Sequence, residues 1–308
     1  MMRSPEYAVL GAGLMGVGIA SHFARHGHAV LLYDPDPQRL AEAPAVAGGI
    51  LAELSAVGQF AAAERDAALA RLRVTGQLND VARARLLIEA IPERLELKHA
   101  LYEQLEGLIA DDAVIASNTS GLPPDELAVR MTHPQRLLIA HFWHPPHLIP
   151  LVEIVPGSAT EPRHLAAVQA LLSGMALEAV VLDRAAPGFV GNRLQFAVLR
   201  EALHIVHSGI ASAEVVDQVM RASLGRRYAM VGPLEAADMT GLETVADIAR
   251  HLLPELATDS GMMALVAQRL QQGHTGLRSG QGFYRWDEAR RERIQRRRAH
   301  QLCFALKP

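Results

Sequence analysis

Short apolar runs alternate with longer amphipathic or alanine-rich stretches through the first 180 or so residues, and beyond them only helical spacing persists. Tyr7–Leu10, Ala29–Tyr33, Leu86–Ala90, Val114–Ala116 and Leu137–His141 are predicted strands, followed by Val152–Val155 and Ala179–Leu182. Between them, Met15–Arg25, Pro37–Val57, Leu95–Ile109 and Pro162–Met175 are predicted helices. Strands separated by helices imply an α/β fold with a mainly parallel, doubly wound sheet covered on both faces. Residues 36–75 are alanine-rich with few strand formers, so they are expected to be one or two helices. The pattern changes at the breaker Asp183-Arg-Ala-Ala-Pro187-Gly188. After it Phe196, Leu199, Leu203 and Val206 recur at intervals of three, four and three, one face of a long helix. Further helices are expected over Ser212–Leu224, Leu242–Leu253, Met262–Gln272 and from Asp287. The chain is therefore expected to form a Rossmann-type domain over 1–185 and an all-α domain over 186–308.

Composition narrows the class. The chain has 308 residues, 50% of them apolar and 20% charged, which suits two ordinary globular domains and excludes a disordered chain or a collagen-like fibre. Lys plus Arg number 30 against 33 Asp plus Glu, a formal charge of −3, with no overall signature for nucleic acid. Six arginines fall within Arg290–Arg298; on a terminal helix they read as a solvated face or an oligomer contact before a nucleic-acid site. A lone Cys303 excludes an internal disulfide, and the opening residues carry no apolar signal core. A cytoplasmic protein is expected. The longest apolar run, Ala8–Ala20, has 13 residues and four glycines, too short and too broken to span a bilayer.

One segment carries a phosphate-binding pattern. Gly11-Ala-Gly13-Leu14-Met15-Gly16 runs from a predicted strand straight into a predicted helix. Gly11 suits the tight turn, Gly13 lets backbone approach a pyrophosphate, and Gly16 lets helix and strand pack closely. The N–H groups of the helix start, at Leu14 and Met15, then face the phosphates. Asp34 ends the second strand 23 residues after Gly11. Its carboxylate would accept from a ribose 2′-OH and repel a 2′-phosphate, favouring NAD over NADP. FAD is the competing ligand for such a loop.

The most unusual segment is Ile139-Ala-His141-Phe-Trp-His144-Pro-Pro-His147-Leu-Ile-Pro150-Leu-Val-Glu153. Its prolines forbid a helix, and the apolar strands on either side allow a return of the chain that sets Glu153 beside His141. A histidine held by a carboxylate is the arrangement of a general base. A structural histidine and a zinc site from His141, His144 and His147 are the alternatives, the latter leading to a metal hydrolase. Ser117-Asn118-Thr119-Ser120 follows a strand end, where open α/β sheets bind ligands, so Asn118 is a candidate for the nicotinamide carboxamide. The bland reading is a turn with a helix cap. Glu93 likewise follows a strand and is either a site residue or a first-turn acid. Asn192 stands four before Phe196 on the apolar stripe, where a polar group needs a partner.

Taken together, Gly11–Gly16, Asp34, Ile88–Glu93 with Lys98, Ser117–Ser120, His141–Glu153 and Gly188-Phe-Val-Gly-Asn192-Arg resemble the L-3-hydroxyacyl-CoA dehydrogenase family over nearly the whole chain. The resemblance implies a Rossmann domain that binds NAD, a helical domain that forms a homodimer, and an enzyme of the kind used in fatty acid metabolism. By position, His141 matches the general base and Glu153 its partner. Ser120 and Asn192 match contacts to the reacting end of the substrate, and Glu93 and Lys98 match positions near the cofactor. The implied reaction oxidises a secondary alcohol at C3, without a metal. Two departures stand out. His144 occupies the place of the family's asparagine before the first proline, and residues 40–64 contain no Lys or Arg for the phosphates of CoA. The Pro-Pro-His-Leu-Ile-Pro-Leu-Val-Glu string and Gly232-Pro-Leu-Glu235 are closer to a side branch acting on free hydroxy compounds, of L-gulonate, carnitine or pyridine-alcohol type. Arg193, Arg226 and Arg227 are then candidate anion clamps. That branch also contains lambda-crystallin, so a non-catalytic NADH-binding protein is a further alternative.

Overall fold

The computed structural model describes residues 5–258 and 263–305, with side chains to 297. Sequence expectations placed on residues 1–4, on Met262 and on the side chains of Arg298 and Cys303 lie outside the described residues. Among those described, the apolar runs of the first half become strands β1 (Tyr7–Leu10), β2 (Val30–Tyr33), β3 (Leu72–Thr75), β4 (Leu86–Glu89), β5 (Val114–Ser117), β6 (Leu137–Phe142), β7 (Leu151–Pro156) and β8 (Glu178–Val181). They form one sheet in the order β3-β2-β1-β4-β5-β6-β7-β8, parallel except for the β6–β7 pair. Helices α1 (Leu14–Arg25), α2 (Pro37–Ala56), α3 (Arg65–Arg71), α4 (Leu95–Glu106), α5 (Pro124–Ala128) and α6 (Pro162–Ser173) connect them.

Both faces of the sheet are covered, and the strand period of two sorts its side chains between two cores. Val9, Leu86, Ile88, Leu138 and Ala140 face one cluster with Phe23 of α1 and Leu54 of α2. Ala8, Leu10, Leu87, Ile115 and Ile139 face the other with Tyr102 and Leu105 of α4. The chain winds outward from β1 to β3, then returns to place β4 on the other side of β1. This reversal opens a crevice at the carboxyl ends of β1 and β4, where open α/β sheets take their ligands.

The expectation of helices alone across 36–75 is corrected by β3. Leu72-Arg-Val-Thr75 pairs with β2 at the sheet's edge, and its two central residues are exposed. An edge strand buries too little to show an apolar run.

Contacts divide the chain after Phe189. The first unit also takes the end of the last helix from Gln295, and the second unit is Val190–Ile294. In the second, α7 (Gly191–His207), α8 (Ala213–Ala222), α9 (Leu224–Arg227), α10 (Pro233–Thr240), α11 (Leu242–Leu252) and α12 (Met263–Gln271) precede α13 (Glu288–Ala305). Leu203 of the expected α7 stripe is buried among Ala257, Val266 and Phe283, whereas Phe196 and Leu199 are exposed. The only pairing among its described residues is two isolated bridges, Gly276–Gln281 and Gln281–Arg285. Among the described residues no helix is long and apolar enough to cross a membrane.

Candidate active site

The glycine loop leaves β1 and enters α1. Gly11 has φ 105°, and a Cβ there would lie 2.7 Å from the Ala90 carbonyl oxygen, so only glycine fits. A Cβ on Gly16 would meet the Gly11 carbonyl oxygen at 1.8 Å, so helix and strand touch at this point. Gly13 caps α1 without a side chain, and nothing would meet a Cβ there within 4 Å. The first-turn N–H groups at Leu14 and Met15 are thus open to a phosphate. Asp34, 4% exposed, is fixed beside this turn: one carboxylate oxygen accepts from Ala12 N at 2.8 Å and the other from Asp36 N at 2.9 Å. Arg39 stands 3.7 Å away. A carboxylate has about four acceptor sites, so Asp34 retains capacity for a ribose hydroxyl. A loop open at Gly13 and an anchored acid at the end of β2 fit a dinucleotide.

Further along the same sheet, beyond β4 and β5, His141 and Glu153 are register partners on antiparallel β6 and β7. The prolines turn the chain back, and the pairing places both side chains on one face. The His141 Nδ1–Glu153 Oε2 distance is 3.0 Å, and Trp143 Nε1 donates to the same oxygen at 3.3 Å. Both members are buried, at 7% and 1% exposure. Nδ1 carries the proton that Glu153 accepts, leaving Nε2 as the imidazole's acceptor. The Phe189 and Trp143 rings lie 5.5 and 5.8 Å from the imidazole.

The ends of β4 and β5 hold a third group. Glu93 accepts from Thr119 Oγ1 and, at 3.0 Å, from Ser120 N, while Lys98 Nζ lies 3.2 Å from its other oxygen. Burial raises the Glu93 carboxyl, but the Thr119 hydrogen bond, the Lys98 charge and the Ser120 N–H outweigh it, so its pKa is lowered overall. Asn118 spans two strands: its N donates to the Glu89 carbonyl at 2.7 Å and its Oδ1 accepts from Phe142 N at 2.8 Å. Ser120 itself is exposed.

The structure therefore brings the glycine loop, Asp34, Glu93, Lys98, Asn118, Ser120, His141 and Glu153 together on the first unit. Asn192 lies in the second, half-buried at the start of α7. The three loop histidines diverge. His144 is exposed, while buried His147 sits 3.6 Å from Glu53 of α2. Among the described residues no three His, Cys, Asp or Glu side chains gather as a metal set. Sequence reasoning gave no role to Glu89, Tyr102 and Trp143. A carboxylate closing an otherwise apolar strand, and Lys98 and Tyr102 four apart on one helix face, were available signals.

Residues 6–185 match the 3-hydroxyacyl-CoA dehydrogenase NAD binding domain, and residues 188–286 match the C-terminal domain of the same enzymes. The chain belongs to the 3-hydroxyacyl-CoA dehydrogenase family. This settles NAD over FAD and makes the protein an NAD-dependent oxidoreductase acting on a CH–OH group. Within the family it is 32% identical over 296 residues to a 5-formyl-3-hydroxy-2-methylpyridine 4-carboxylate 5-dehydrogenase of Mesorhizobium japonicum, covering 96% of this chain and 95% of that one. It is 33% identical over 288 residues to a probable 3-hydroxybutyryl-CoA dehydrogenase of Bacillus subtilis, covering 93% and 99%. Among solved structures, a 5-formyl-3-hydroxy-2-methylpyridine 4-carboxylic acid 5-dehydrogenase, an NAD-dependent dismutase, superposes with TM-score 0.87 at 31% identity over 96% of each chain.

Proposed function

We propose that this protein oxidises the secondary alcohol of a 3-hydroxy compound, with His141 as the general base. The observation that carries the reading is the buried His141–Glu153 pair at 3.0 Å. With Nδ1–H held by Glu153, Nε2 accepts the hydroxyl proton, and Glu153 stabilises the imidazolium that forms. Bound NAD supplies the acceptor for the hydride leaving C3. Gly11, Gly13, Leu14, Met15, Gly16 and Asp34 hold its adenosine and pyrophosphate portions, and Glu93, Lys98 and Asn118 line its nicotinamide side. Ser120 is assigned to the reacting end of the substrate on the first unit, and Asn192 is the second unit's own candidate for a substrate contact. Residues 1–185 hold the cofactor and 186–308 serve the substrate and a homodimer, for which the exposed apolar faces of the second unit speak. A cytoplasmic setting follows from a single cysteine in the whole chain.

A free, anionic hydroxy acid is favoured over its CoA thioester. Most of α2 lies in residues 40–64, which carry no Lys or Arg to meet the several negative charges of CoA. His144 in place of asparagine and the likeness to a pyridine carboxylate dehydrogenase support the same choice. The test is NADH production across 3-hydroxyacyl-CoA esters and free hydroxy acids, including carnitine, gulonate and pyridine alcohols. Turnover of free acids is expected. Turnover confined to thioesters would overturn the substrate assignment, and none with any hydroxy compound would sink the reaction itself.

A further inference from the structure

Beneath the Glu93 site lies a buried carboxylate that the chemistry above does not use. Glu89, the last residue of β4, is fully buried and accepts five hydrogen bonds. Lys98 Nζ donates to its two oxygens at 2.7 and 2.8 Å, Ile91 N at 2.9 Å, Tyr102 OH at 2.7 Å and Ser117 Oγ at 2.6 Å. Burial and the adjoining Glu89 charge push the Tyr102 phenol well above its ordinary value, so it stays protonated and donates. Lys98, 1% exposed, then reaches Glu93, whose side chain is 42% exposed.

Two carboxylates share one ammonium, so the group carries one uncancelled negative charge, and its open end is Glu93. Stability is a poor reason to keep such a group, because well-packed apolar residues usually serve as well as a buried ion pair. Its place at the carboxyl edge suggests another. Asp34 and the glycine loop occupy the β2–β1 side of the crevice. A dinucleotide laid across the edge therefore carries its nicotinamide half over the ends of β4 and β5. The oxidised ring is cationic and the reduced ring is neutral.

We propose that Glu89, Lys98 and Glu93 act as a fixed-charge unit whose net negative charge favours the oxidised over the reduced nicotinamide. The proposal rests on NAD lying across this edge as described above. Glu89 is the positioning residue: it keeps Lys98 in place and shares the ammonium with Glu93, so that the two carboxylates together are one positive charge short.

The experiment measures the dissociation constants of NAD and NADH for the full chain, by calorimetry and by nucleotide fluorescence. Glu93→Gln and Glu89→Gln each remove one negative charge. Each is expected to raise the ratio Kd(NAD)/Kd(NADH) roughly tenfold, the scale of one partly screened unit charge over about 10 Å. The double variant Glu89→Gln with Lys98→Met dismantles the network but retains the net charge on Glu93, so its ratio should stay within about twofold of the original. If Glu89→Gln does not fold, half-exposed Glu93→Gln still tests the charge, and the double variant still separates charge from geometry. An unchanged ratio in Glu93→Gln, or a double variant that shifts like the single ones, overturns the proposal. Binding of neither nucleotide by the parent protein would overturn the cofactor placement as well, a different and recognisable failure.

Discussion

In the first unit Phe23, Leu87 and Ile139 are fully screened from solvent, whereas in the second Phe196, Met230 and Leu234 are 60, 84 and 81% exposed. Both units have amphipathic helices, but among the described residues only the first has a sheet to bury their apolar sides. On α8, Val215 and Val219 stand four apart and both are exposed, as are Leu242, Ile248 and Leu252 on α11. Contiguous apolar helix faces of this kind mark interaction surfaces. The contrast separates two tasks. The first unit closes its own core and uses its sheet edge for chemistry. The second presents surface, which is what a subunit contact requires.

The sharpest way to break this division is at His141. His141→Gln is expected to lower turnover by about 10²- to 10⁴-fold, the usual contribution of a general base. NADH affinity, measured by fluorescence titration, should change little, because the cofactor loop lies at the other strands. Comparable loss of NADH binding would mean that the chemistry is not separable within the first unit. Next in size is a pair of truncations, one in each unit. Leu87→Ala, at 0% exposure, should cost about 2–5 kcal/mol in denaturant unfolding. Val219→Ala, at 58% exposure, should stay within about 0.5 kcal/mol when measured on dilute, dissociated protein. Equal costs would erase the distinction between a closed core and a displayed face. A third variant tests what the displayed face does. Phe196→Glu places a charge on it and should convert a dimer to monomer in sedimentation velocity, with NADH binding retained. A parent protein that is already monomeric would refute the dimer.

The same contrast governs what the sequence disclosed. Strands buried on both sides were legible because each is a continuous apolar run: Leu86–Glu89 and Leu137–Phe142 are buried throughout. β3 was not, since its edge position leaves Arg73 and Val74 exposed and removes the run. α10 escaped for another reason. Its start signal was present, Pro233 at the first turn with Glu235 accepting from Gly232 N at 2.8 Å, but its apolar residues are mostly exposed and form no buried stripe. In the site, residues close in sequence or paired by strand return could be foreseen. Glu153 opposite His141 follows from one turn of chain. Glu89 with Lys98, Tyr102 and Ser117 needs three elements, β4, α4 and β5, to be brought together, and only the sheet order does that.

The smallest effect concerns acid stability, and it too should belong to the first unit. His22 lies buried on α1, with Nε2 donating to the Met175 carbonyl at 2.9 Å and its ring stacked on His26 at 4.5 Å. Burial, then the Arg25 charge, lowers the His22 pKa well below 6.5, and the same two causes lower His26 to about 4. Both therefore bind fewer protons folded than unfolded, so acid favours the unfolded chain. Stability that is complete above the unfolded value near 6.5 is lost as pH falls towards the folded values. Each pH unit in that window costs up to about 1.4 kcal/mol for a fully buried group such as His22; half-exposed His26 contributes less because water screens it. Between pH 6.5 and 5 the melting temperature should drop by about 5 °C on account of His22. His22→Gln keeps a donor for the Met175 carbonyl and cannot take up the proton, so its melting temperature should depend less on pH across that interval. An unaltered slope would place the acid-sensitive group elsewhere, and a slope removed by changes on α7 or α11 instead would assign it to the second unit.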